Sequence, residues 1–317
     1  MANKKRLIII DSNSIIHRAY HALPPLTTKK GELVNAVYGF LLVFFKVIKE
    51  FQPDFITACF DFPAPTFRHK EYKEYKAKRP PAPEELYQQI PKVKEILKAF
   101  SIPIFEKEGY EADDIIGALS RLAPTPHQKN GGGPEIETII LSGDLDNLQL
   151  INSQTKVYLL RRGVKDVILY DENLVKEKFQ GLSPEQLLDF KALKGDPSDN
   201  IPGVTGIGEK TAIDLILNFG SLENLYKMFE ENSEKAKELN PKLRETLLRY
   251  KEQAFLSKNL VRIKKDIPIA FNLKECQWGK YDKGKVVKIF QNFDFDSLIK
   301  RLSELKPKDI RENLKLW

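Results

Sequence analysis

Several short apolar runs in this sequence stop at an acidic residue, and this pattern constrains the fold more than any other feature. The runs at 7–10, 55–60 and 138–141 are apolar almost throughout, which is typical of strands buried in a parallel sheet. The carboxyl ends of such strands meet at one crevice of an α/β fold. Carboxylates that gather there repel one another unless cations neutralise them. The acids that follow these runs are Asp11, Asp61, Asp144 and Asp146.

Two further segments add carboxylates to this set. GYEADDIIG opens a predicted helix at 112–122, and GDPSDNIPG precedes a glycine-rich turn. A single acid at a helix start is as readily a capping residue, but acids paired after strands and within loops cannot all be caps. We therefore expect an acidic pocket that holds hard metal ions. The acids added here are Glu111, Asp113, Asp114, Asp196 and Asp199.

The acidic pocket belongs to a basic protein. The formal net charge is +7 and the isoelectric point is about 9.0, which favours a polyanionic partner. Cys59 and Cys276 are far apart in sequence, so a reduced cytoplasmic setting fits better than a disulfide scaffold. The apolar run at 40–45 is too short to span a bilayer. We expect a soluble protein without a membrane partner.

Hydrophobic periodicity predicts an α/β half at 1–170 followed by a helical half at 171–317. A loop at 124–134 contains three consecutive glycines and carries no evident chemistry. We expect strands at 7–10, 55–60, 137–141, 156–160 and 167–170. We expect helices near 14–21, 33–51, 86–100, 112–122, 184–193, 209–219, 222–229 and 241–258.

The stretch RHKEYKEYKAKR at 68–79 has charged and aromatic residues but few aliphatic ones. Because it offers little apolar surface to bury, we expect it to project from the core. Tyr72 and Tyr75 lie between lysines, an arrangement that suits contact with nucleic-acid bases. A solvated helix face without such a role is the alternative interpretation.

The segment GVTGIGEKT at 203–211 resembles a Walker A phosphate-binding loop, but Glu209 stands where that motif needs lysine, and no strand precedes it. A hairpin between two helices explains the segment better, because glycines let backbone N–H groups approach a phosphate. A plain turn between helices is the alternative. The residues that we assign to DNA binding here are Gly203, Gly206, Gly208, Lys210 and Thr211.

Six segments together resemble the 5′-nuclease (5′-3′ exonuclease) domain of bacterial DNA polymerase I, within the flap-endonuclease superfamily. The resemblance extends from residue 7 to about residue 302. It implies an α/β, PIN-like (Rossmann-like) core with a mostly parallel sheet, a helical arch at about 66–100, and a helix–three-turn–helix element at about 190–230. The segments are IIIDSNSIIHRAYHALPPL, AVYGF, FDFPAPTFRHKEYKEYKAKR, GYEADDIIG, LSGDLDNLQL and LKGDPSDNIPGVTGIGEKTA.

The resemblance implies a structure-specific enzyme that hydrolyses DNA phosphodiesters near a 5′ end or at the base of a 5′ flap, as in primer removal. It implies two divalent ions, Mg²⁺ or Mn²⁺, in two carboxylate clusters, and a K⁺ ion at the hairpin. The first cluster matches Asp11, Asp61, Glu111 and Asp113, with Asp114 adjacent. The second cluster matches Asp144, Asp146, Asp196 and Asp199.

The resemblance also assigns residues beside the metals. Lys76 and Arg79 match arch positions, with Tyr75 next to them. We expect both cations, together with Arg18, to orient the scissile phosphate and offset its developing charge. His17 stands where relatives commonly carry Tyr or Phe, at a position where a base stacks.

The expected partner is DNA with a 5′ end or a 5′ flap, or an RNA primer–DNA hybrid. We expect a monomer that works in the cytoplasm at the nucleoid, with a polymerase domain in cis or in trans. Two alternatives stay open. A PIN-type ribonuclease shares the acidic pocket but leaves the long arch and the hairpin poorly explained. A non-catalytic nucleic-acid-binding protein shares the basic charge and the hairpin but does not need intact carboxylate pairs.

Overall fold

A six-stranded sheet forms the centre of the protein, whose computed structural model describes residues 4–123 and 135–305. The strand order is β3-β2-β1-β4-β5-β6, with β1 to β5 parallel and β6 antiparallel to β5. This mostly parallel α/β sheet confirms the predicted fold class. The strands are β1 (Lys5–Asp11), β2 (Phe55–Cys59), β3 (Ile104–Phe105), β4 (Ile136–Ser142), β5 (Thr155–Arg162) and β6 (Asp166–Tyr170).

Helices cover both faces of the sheet and form most of the chain after β6. Short 3₁₀ helices occupy Leu145–Leu150 and Leu273–Cys276. The helices of the α/β part are α1 (Ser12–Ala22), α2 (Asn35–Phe51), α3 (Phe67–Glu71), α4 (Glu84–Tyr87), α5 (Ile90–Ala99) and α6 (Ala112–Leu122). The later helices are α7 (Glu172–Lys178), α8 (Leu187–Lys194), α9 (Glu209–Phe219), α10 (Leu222–Glu230), α11 (Glu234–Lys237), α12 (Pro241–Arg249), α13 (Lys251–Val261), α14 (Lys283–Asn292) and α15 (Asp296–Glu304).

The alternation of β1 separates two apolar cores. Leu7 and Ile9 pack with α6 and with the helices after β6, whereas Ile8 and Ile10 pack with α1, α2 and α5. All four side chains are fully buried, because side chains of a strand covered on both faces point alternately to each layer. This double coverage explains why the run at 7–10 is uniformly apolar.

Two features of the helical half differ from the sequence expectation. The helix predicted at 241–258 is interrupted at Tyr250, which separates α12 from α13. Helices α14 and α15 return to the α/β part, where Phe290 and Leu298 join the core that contains α2. The division at residue 171 stays a prediction, and the packing places the last two helices on the α/β side.

The register of β1 brings the strand ends together. Asp11 lies opposite Cys59 of β2, and Ile10 lies opposite Leu141 of β4. The segments that follow these three strands therefore leave the sheet at one edge. The loop predicted at 124–134 lies outside the described residues. Among the described helices, none is long and apolar enough to cross a membrane.

Candidate active site

A cavity of about 540 Å³ opens at this edge of the sheet. The N-terminal ends of α1 and α6 also reach it, and so does the segment between α3 and α4. Seven of the nine predicted acids line this cavity, whereas Asp114 and Asp196 do not. The acidic lining residues are Asp11, Asp61, Glu111, Asp113, Asp144, Asp146 and Asp199.

Asp11 is held by uncharged groups at the end of β1. Its carboxylate accepts hydrogen bonds from the Ser14 amide at 3.3 Å and from the Ser142 hydroxyl at 2.6 Å. The same hydroxyl accepts a hydrogen bond from the Asp144 amide at 2.9 Å, which ties β1 to the loop after β4. Burial raises the pKa of Asp11 to about 6, and the neighbouring carboxylates of Asp144 and Asp61 add to the rise.

Asp113 and Asp61 are also desolvated. Burial, followed by the charges of Asp11 and Asp144, holds the pKa of Asp113 well above its usual range. Asp113 Oδ1 accepts a 2.9 Å hydrogen bond from Asn147 Nδ2. Asp61 accepts one from the Ala112 amide at 2.8 Å, and burial raises its pKa as well. These carboxylates therefore gain from any cation that enters the cavity.

Asp146 and Asp196 share a cation that the sequence analysis missed. Lys191 Nζ, on α8, donates to Asp146 Oδ1 and to Asp196 Oδ2. Burial raises the pKa of Asp196, but the Lys191 ammonium outweighs it and lowers that pKa to about 2. Burial keeps the pKa of Asp146 raised, at about 6, despite Lys191. The signal in the sequence was the proximity of Lys191, in the last turn of α8, to Asp196 five residues later.

Glu111 and Asp199 form a second neutralised pair, although the family pattern places them in different clusters. Tyr75 Oη donates to Glu111 Oε2 at 3.0 Å and to Asp199 Oδ2 at 3.2 Å. Lys76 Nζ lies 3.0 Å from Glu111 Oε2, and Arg79 is paired with Asp199. Burial lowers the pKa of Lys76, but the two carboxylates outweigh it and raise that pKa, so Lys76 stays charged.

Asp114 has a structural role in this geometry, which corrects its predicted assignment as a metal ligand. It is fully buried and accepts two hydrogen bonds from the Arg68 guanidinium, at 2.7 and 2.8 Å. The Glu111 and Lys264 amides donate to the same carboxylate. Asp114 therefore lies behind the cavity lining and fixes the base of α3, where Arg68 lines the cavity and is 2% exposed.

The expectation that 68–79 projects from the core is wrong for two of its residues. Arg68 is buried by its ion pair with Asp114, and Tyr75 is 3% exposed, packed with Ile201 and Leu260. An ion pair therefore allows Arg68 to be buried in a segment that has few aliphatic residues. Tyr75 offers no free face for base stacking, and Tyr72 packs half-buried against the same cluster.

Arg18 and His17, on α1, line the cavity in different ways. The Arg18 guanidinium donates to the carbonyl oxygens of Gly143 and Arg161, both at 2.7 Å. This commits it to supporting the loop after β4, and its predicted phosphate contact is not evident in this geometry. Burial, then His21 and Arg79, lowers the pKa of His17, which favours the neutral imidazole.

The glycines between α8 and α9 divide into two kinds. Gly203 is buried with φ 61°, and a Cβ there would lie 2.3 Å from the Gly195 nitrogen, so it serves chain packing. Gly206 and Gly208 are exposed, and a Cβ at either position would have no neighbouring atom within 4 Å. Gly208 precedes α9, and Lys210 and Thr211 lie in its first turn. The open part of the hairpin is therefore 205–211.

The residues present suit hard divalent ions. Among described residues, no three His, Cys, Asp or Glu side chains come together as a ready ligand set, and Lys76 and Lys191 each pair with two of the acids. The donors are oxygen atoms, the chemistry that Mg²⁺ and Mn²⁺ prefer. Asn147 Oδ1, beside Asp113, is buried without a hydrogen-bond partner in the described chain. An orphaned acceptor of this kind suits a water or ion that enters with the metal.

Comparison with known families identifies the chain. A family model described as "5′-3′ exonuclease, N-terminal resolvase-like domain" matches residues 6–180. A second, described as "5′-3′ exonuclease, C-terminal SAM fold", matches residues 182–284. The chain belongs to the 5′-3′ exonuclease family. The resemblance drawn from the sequence motifs is confirmed.

Curated relatives in this family differ in length. The chain is 42% identical over 304 residues to DNA polymerase I of Bacillus subtilis, covering 96% of this chain and 33% of that protein. It is 38% identical over 301 residues to a 5′-3′ exonuclease of Aquifex aeolicus, covering 95% and 96%. The chain thus spans about a third of the polymerase relatives that it matches and nearly all of the exonuclease.

Solved structures share the fold of this family member. The bacteriophage T5 D15 protein, co-crystallised with metal ions, matches with a TM-score of 0.66 and 19% identity, covering 94% of this chain and 100% of that one. The catalytic core of Rad2 in complex with a DNA substrate matches with a TM-score of 0.56 and 18% identity, covering 92% and 89%. At these identities the likeness supports the fold.

Proposed function

We propose that this protein is a metal-dependent nuclease that hydrolyses DNA phosphodiesters at 5′ ends and at the base of 5′ flaps. One observation carries the proposal: seven carboxylates converge with Lys76 and Arg79 on a single cavity at the strand ends. Membership of the 5′-3′ exonuclease family supports the same activity. A protein that only binds nucleic acid has no use for so many desolvated carboxylates, because each one costs folding free energy.

Two divalent ions, Mg²⁺ or Mn²⁺, suit the two ends of the carboxylate set. Such ions activate water and stabilise the charge of the attacking and leaving oxygens. Asp11, Asp61 and Asp113 would hold one end, beside Glu111. The other end would be held by Asp144, Asp146, Asp196 and Asp199.

Lys76 and Arg79 are the side chains best placed to bind the scissile phosphate. Both line the cavity, and both lie within ion-pair distance of Asp199. A phosphate that enters the cavity would draw the two cations away from Glu111 and Asp199. They then hold it in a defined orientation and offset the charge that develops on it.

The open hairpin at 205–211 provides a separate contact for the duplex beside the cut. Exposed glycine amides and the start of α9 suit contact with a backbone phosphate of DNA. A K⁺ ion bound at the same hairpin would attract that phosphate as well. This contact reads DNA shape without reading sequence. We further propose that the protein acts as a monomer at the nucleoid, on flaps or RNA primers, with a polymerase domain in cis or in trans.

One cleavage assay tests the activity. End-labelled 5′-flap DNA, a recessed 5′ end and a matched single-stranded RNA are each incubated with Mg²⁺, Mn²⁺ or EDTA. We expect cleavage of both DNA substrates with either metal, none in EDTA, and little cleavage of RNA. Preferential cutting of RNA would identify a ribonuclease, and intact DNA under every condition would contradict the proposal.

A paired substitution tests the hairpin. Gly208→Val adds a side chain at an open position with an ordinary φ of −91°, so it blocks a phosphate without straining the chain. We expect it to weaken binding of duplex DNA about tenfold, the loss of one charge-assisted contact, with an unchanged melting temperature. Gly203→Ala is the contrast, because its Cβ collides with Gly195 and it should destabilise the fold. Unaltered duplex affinity of Gly208→Val would remove the hairpin from the interface.

A further inference from the structure

Three hydrogen bonds to backbone carbonyls, besides the side-chain bonds of Tyr75 and Arg79 to Asp199, join two segments that the sequence places more than a hundred residues apart. The basal turn (residues 72–79) carries Lys76 and Arg79, and the carboxylate loop (residues 195–203) carries Asp196 and Asp199. Asn200 Nδ2 donates to the Glu74 carbonyl at 2.7 Å. The Lys76 amide donates to the Asp199 carbonyl at 2.9 Å. Arg79 Nε donates to the Ser198 carbonyl at 3.1 Å.

The carboxylate loop is the fixed partner in this contact. Its two ends touch, because Gly195 and Gly203 pack backbone against backbone. Within it, the Asp196 and Ile201 backbones exchange hydrogen bonds in an antiparallel bridge. Helix α13 holds the closed end: the buried Ser257 hydroxyl accepts a hydrogen bond from the Gly203 amide at 3.0 Å, and Gln253 Nε2 donates to the Gly203 carbonyl at 2.6 Å.

The basal turn has much less support of its own. It consists of consecutive turns, and Glu74, Ala77 and Arg79 are exposed. Lys76 has φ 56°, a left-handed conformation that a residue with a side chain adopts at a cost. The Tyr75 ring anchors one point in the cluster with Ile201. Apart from the bonds of Tyr75 and Lys76 to Glu111, the orientation of the segment about that point depends on its bonds to the carboxylate loop.

Asn200 is suited to this role by its backbone as well as by its amide. Its φ is 56°, in the region that Asn and Gly tolerate best. This conformation aims Nδ2 at the Glu74 carbonyl, which also accepts a hydrogen bond from the Ala77 amide at 3.1 Å. One side chain thus adds a second donor to the carbonyl that closes the turn at 74–77, which contains Lys76.

We propose that Asn200 is a positioning residue that locks the basal turn onto the carboxylate loop, and so places Lys76 between Glu111 and Asp199. The inference rests on the proposed nuclease function for its kinetic consequence. Its structural consequence, an ordered basal turn in the protein without DNA, is independent of that function.

Two substitutions separate the amide from the backbone. Asn200→Gly keeps the left-handed conformation and removes the hydrogen bond, whereas Asn200→Asp keeps the shape and turns the donor into an acceptor that faces a carbonyl oxygen. Asn232 provides the matched control, since it is also left-handed, with φ 48°, and lies after α10, outside the cavity. Asn232→Gly therefore reports the cost of an Asn-to-Gly change away from the cavity, including the loss of the hydrogen bond that Asn232 Oδ1 accepts from Arg244.

The structural measurement is amide hydrogen exchange of the DNA-free protein, followed by peptide. We expect Asn200→Gly and Asn200→Asp to lose protection across 72–79 while the sheet and α13 keep theirs, and Asn232→Gly to leave 72–79 protected. Wild-type protection of 72–79 in both Asn200 variants would overturn the proposal. So would an equal loss of protection throughout the molecule, because Asn200 would then support the whole fold.

The kinetic measurement is single-turnover cleavage of flap DNA at saturating enzyme, with DNA affinity measured separately in Ca²⁺. We expect Asn200→Gly to slow cleavage about five- to tenfold, as for loss of one neutral hydrogen bond, with affinity changed less than about twofold. Asn200→Asp should be at least as slow. A weakened affinity with an unchanged rate would overturn the positioning role. If wild-type protein cuts no DNA, the proposed function fails, and the exchange measurement still decides the role of Asn200.

Discussion

The carboxylates in and beside the cavity fall into two groups that differ in what neutralises them. Asp11, Asp61, Asp113 and Asp144 accept hydrogen bonds from hydroxyl, amide and backbone groups, and no ion pair within 4.0 Å joins them to any described residue. The paired group has cationic partners in Lys76, Arg79 and Lys191. The paired acids are Glu111, Asp146, Asp196 and Asp199.

This difference follows from where the residues lie in the fold. The unpaired acids lie at the end of β1, shortly after β2 and β4, and in the first turn of α6. The paired acids face α8 and the basal turn, which bring their own lysine and arginine. The protein therefore supplies cations to one side of the cavity, whereas the acids on the other side have no ion-pair partner among the described residues.

The largest expected effect concerns the unpaired group. Asp113→Asn keeps the Oδ1 atom that accepts the Asn147 hydrogen bond but removes the charge. We expect flap cleavage in Mg²⁺ to fall by at least about a thousandfold, with DNA affinity nearly unchanged. Asp296→Asn, an exposed acid of α15, is the control. Cleavage within tenfold of wild type would show that the unpaired group holds no essential ion.

The next effect concerns the cation of the basal turn. Lys76→Met keeps the aliphatic stem over the Tyr75 ring, where Nζ lies 4.9 Å from the centroid, and removes the charge. We expect the cleavage rate to fall about a hundredfold and DNA affinity to change by less than threefold, because the contact is made to the reacting phosphate. Lys78→Met, exposed on the same turn, should be near wild type. A loss confined to affinity would make Lys76 an ordinary phosphate contact.

Sequence reasoning located the unpaired group well. Buried strands and a helix start are local features, so the apolar runs before Asp11 and Asp61 placed these acids at one sheet edge. The structure confirms the parallel sheet that this inference required. Motif order then identified the family, and the family models confirm it.

The paired group was harder to predict, because its geometry depends on contacts across distant parts of the chain. Tyr75 joins Glu111 to Asp199, and Asn200 reaches Glu74 over 126 residues. The low aliphatic content of 68–79 led to the prediction that this stretch projects from the core. Composition cannot reveal that a charged residue such as Arg68 is buried by an ion pair. Asp114 shows the same limit: its spacing is that of a site residue, and only the buried Arg68 partner reveals its structural role.

The next prediction concerns Lys191, the cation on α8, and its effect on metal affinity. Lys191 lies between Asp146 and Asp196, so a metal ion that binds there must displace its ammonium group. We expect Lys191→Met to bind Mn²⁺ about tenfold more tightly in the DNA-free protein, measured by calorimetry, since a competing charge is gone. Lys194→Met, which loses a pair with exposed Glu209, should match wild type. Weaker binding would mean that Lys191 orients the two carboxylates more than it competes with the metal.

The smallest effect is a dependence of stability on pH in the metal-free protein. The pKa of Asp11 is raised to about 6 in the folded state, against 3.8 for the ordinary group. The folded protein therefore binds this proton more tightly than the unfolded chain, and the free energy of unfolding falls as pH rises from about 4 to about 6. Above that window the carboxylate is charged, buried and without a cation.

Asp11→Asn removes this penalty while it keeps an acceptor for the Ser14 amide. In EDTA, we expect the variant to melt near the wild-type temperature at pH 4 and about 5 °C above it at pH 7.5. Saturating Mg²⁺ should stabilise the wild type more than the variant at pH 7.5, because the ion neutralises the charge that the variant lacks. Thermal unfolding followed by circular dichroism measures both differences. A variant that melts below wild type at pH 7.5 in EDTA would show that the hydrogen bonds to Asp11 outweigh its desolvation, and the two groups of carboxylates would then not differ in their need for an outside cation.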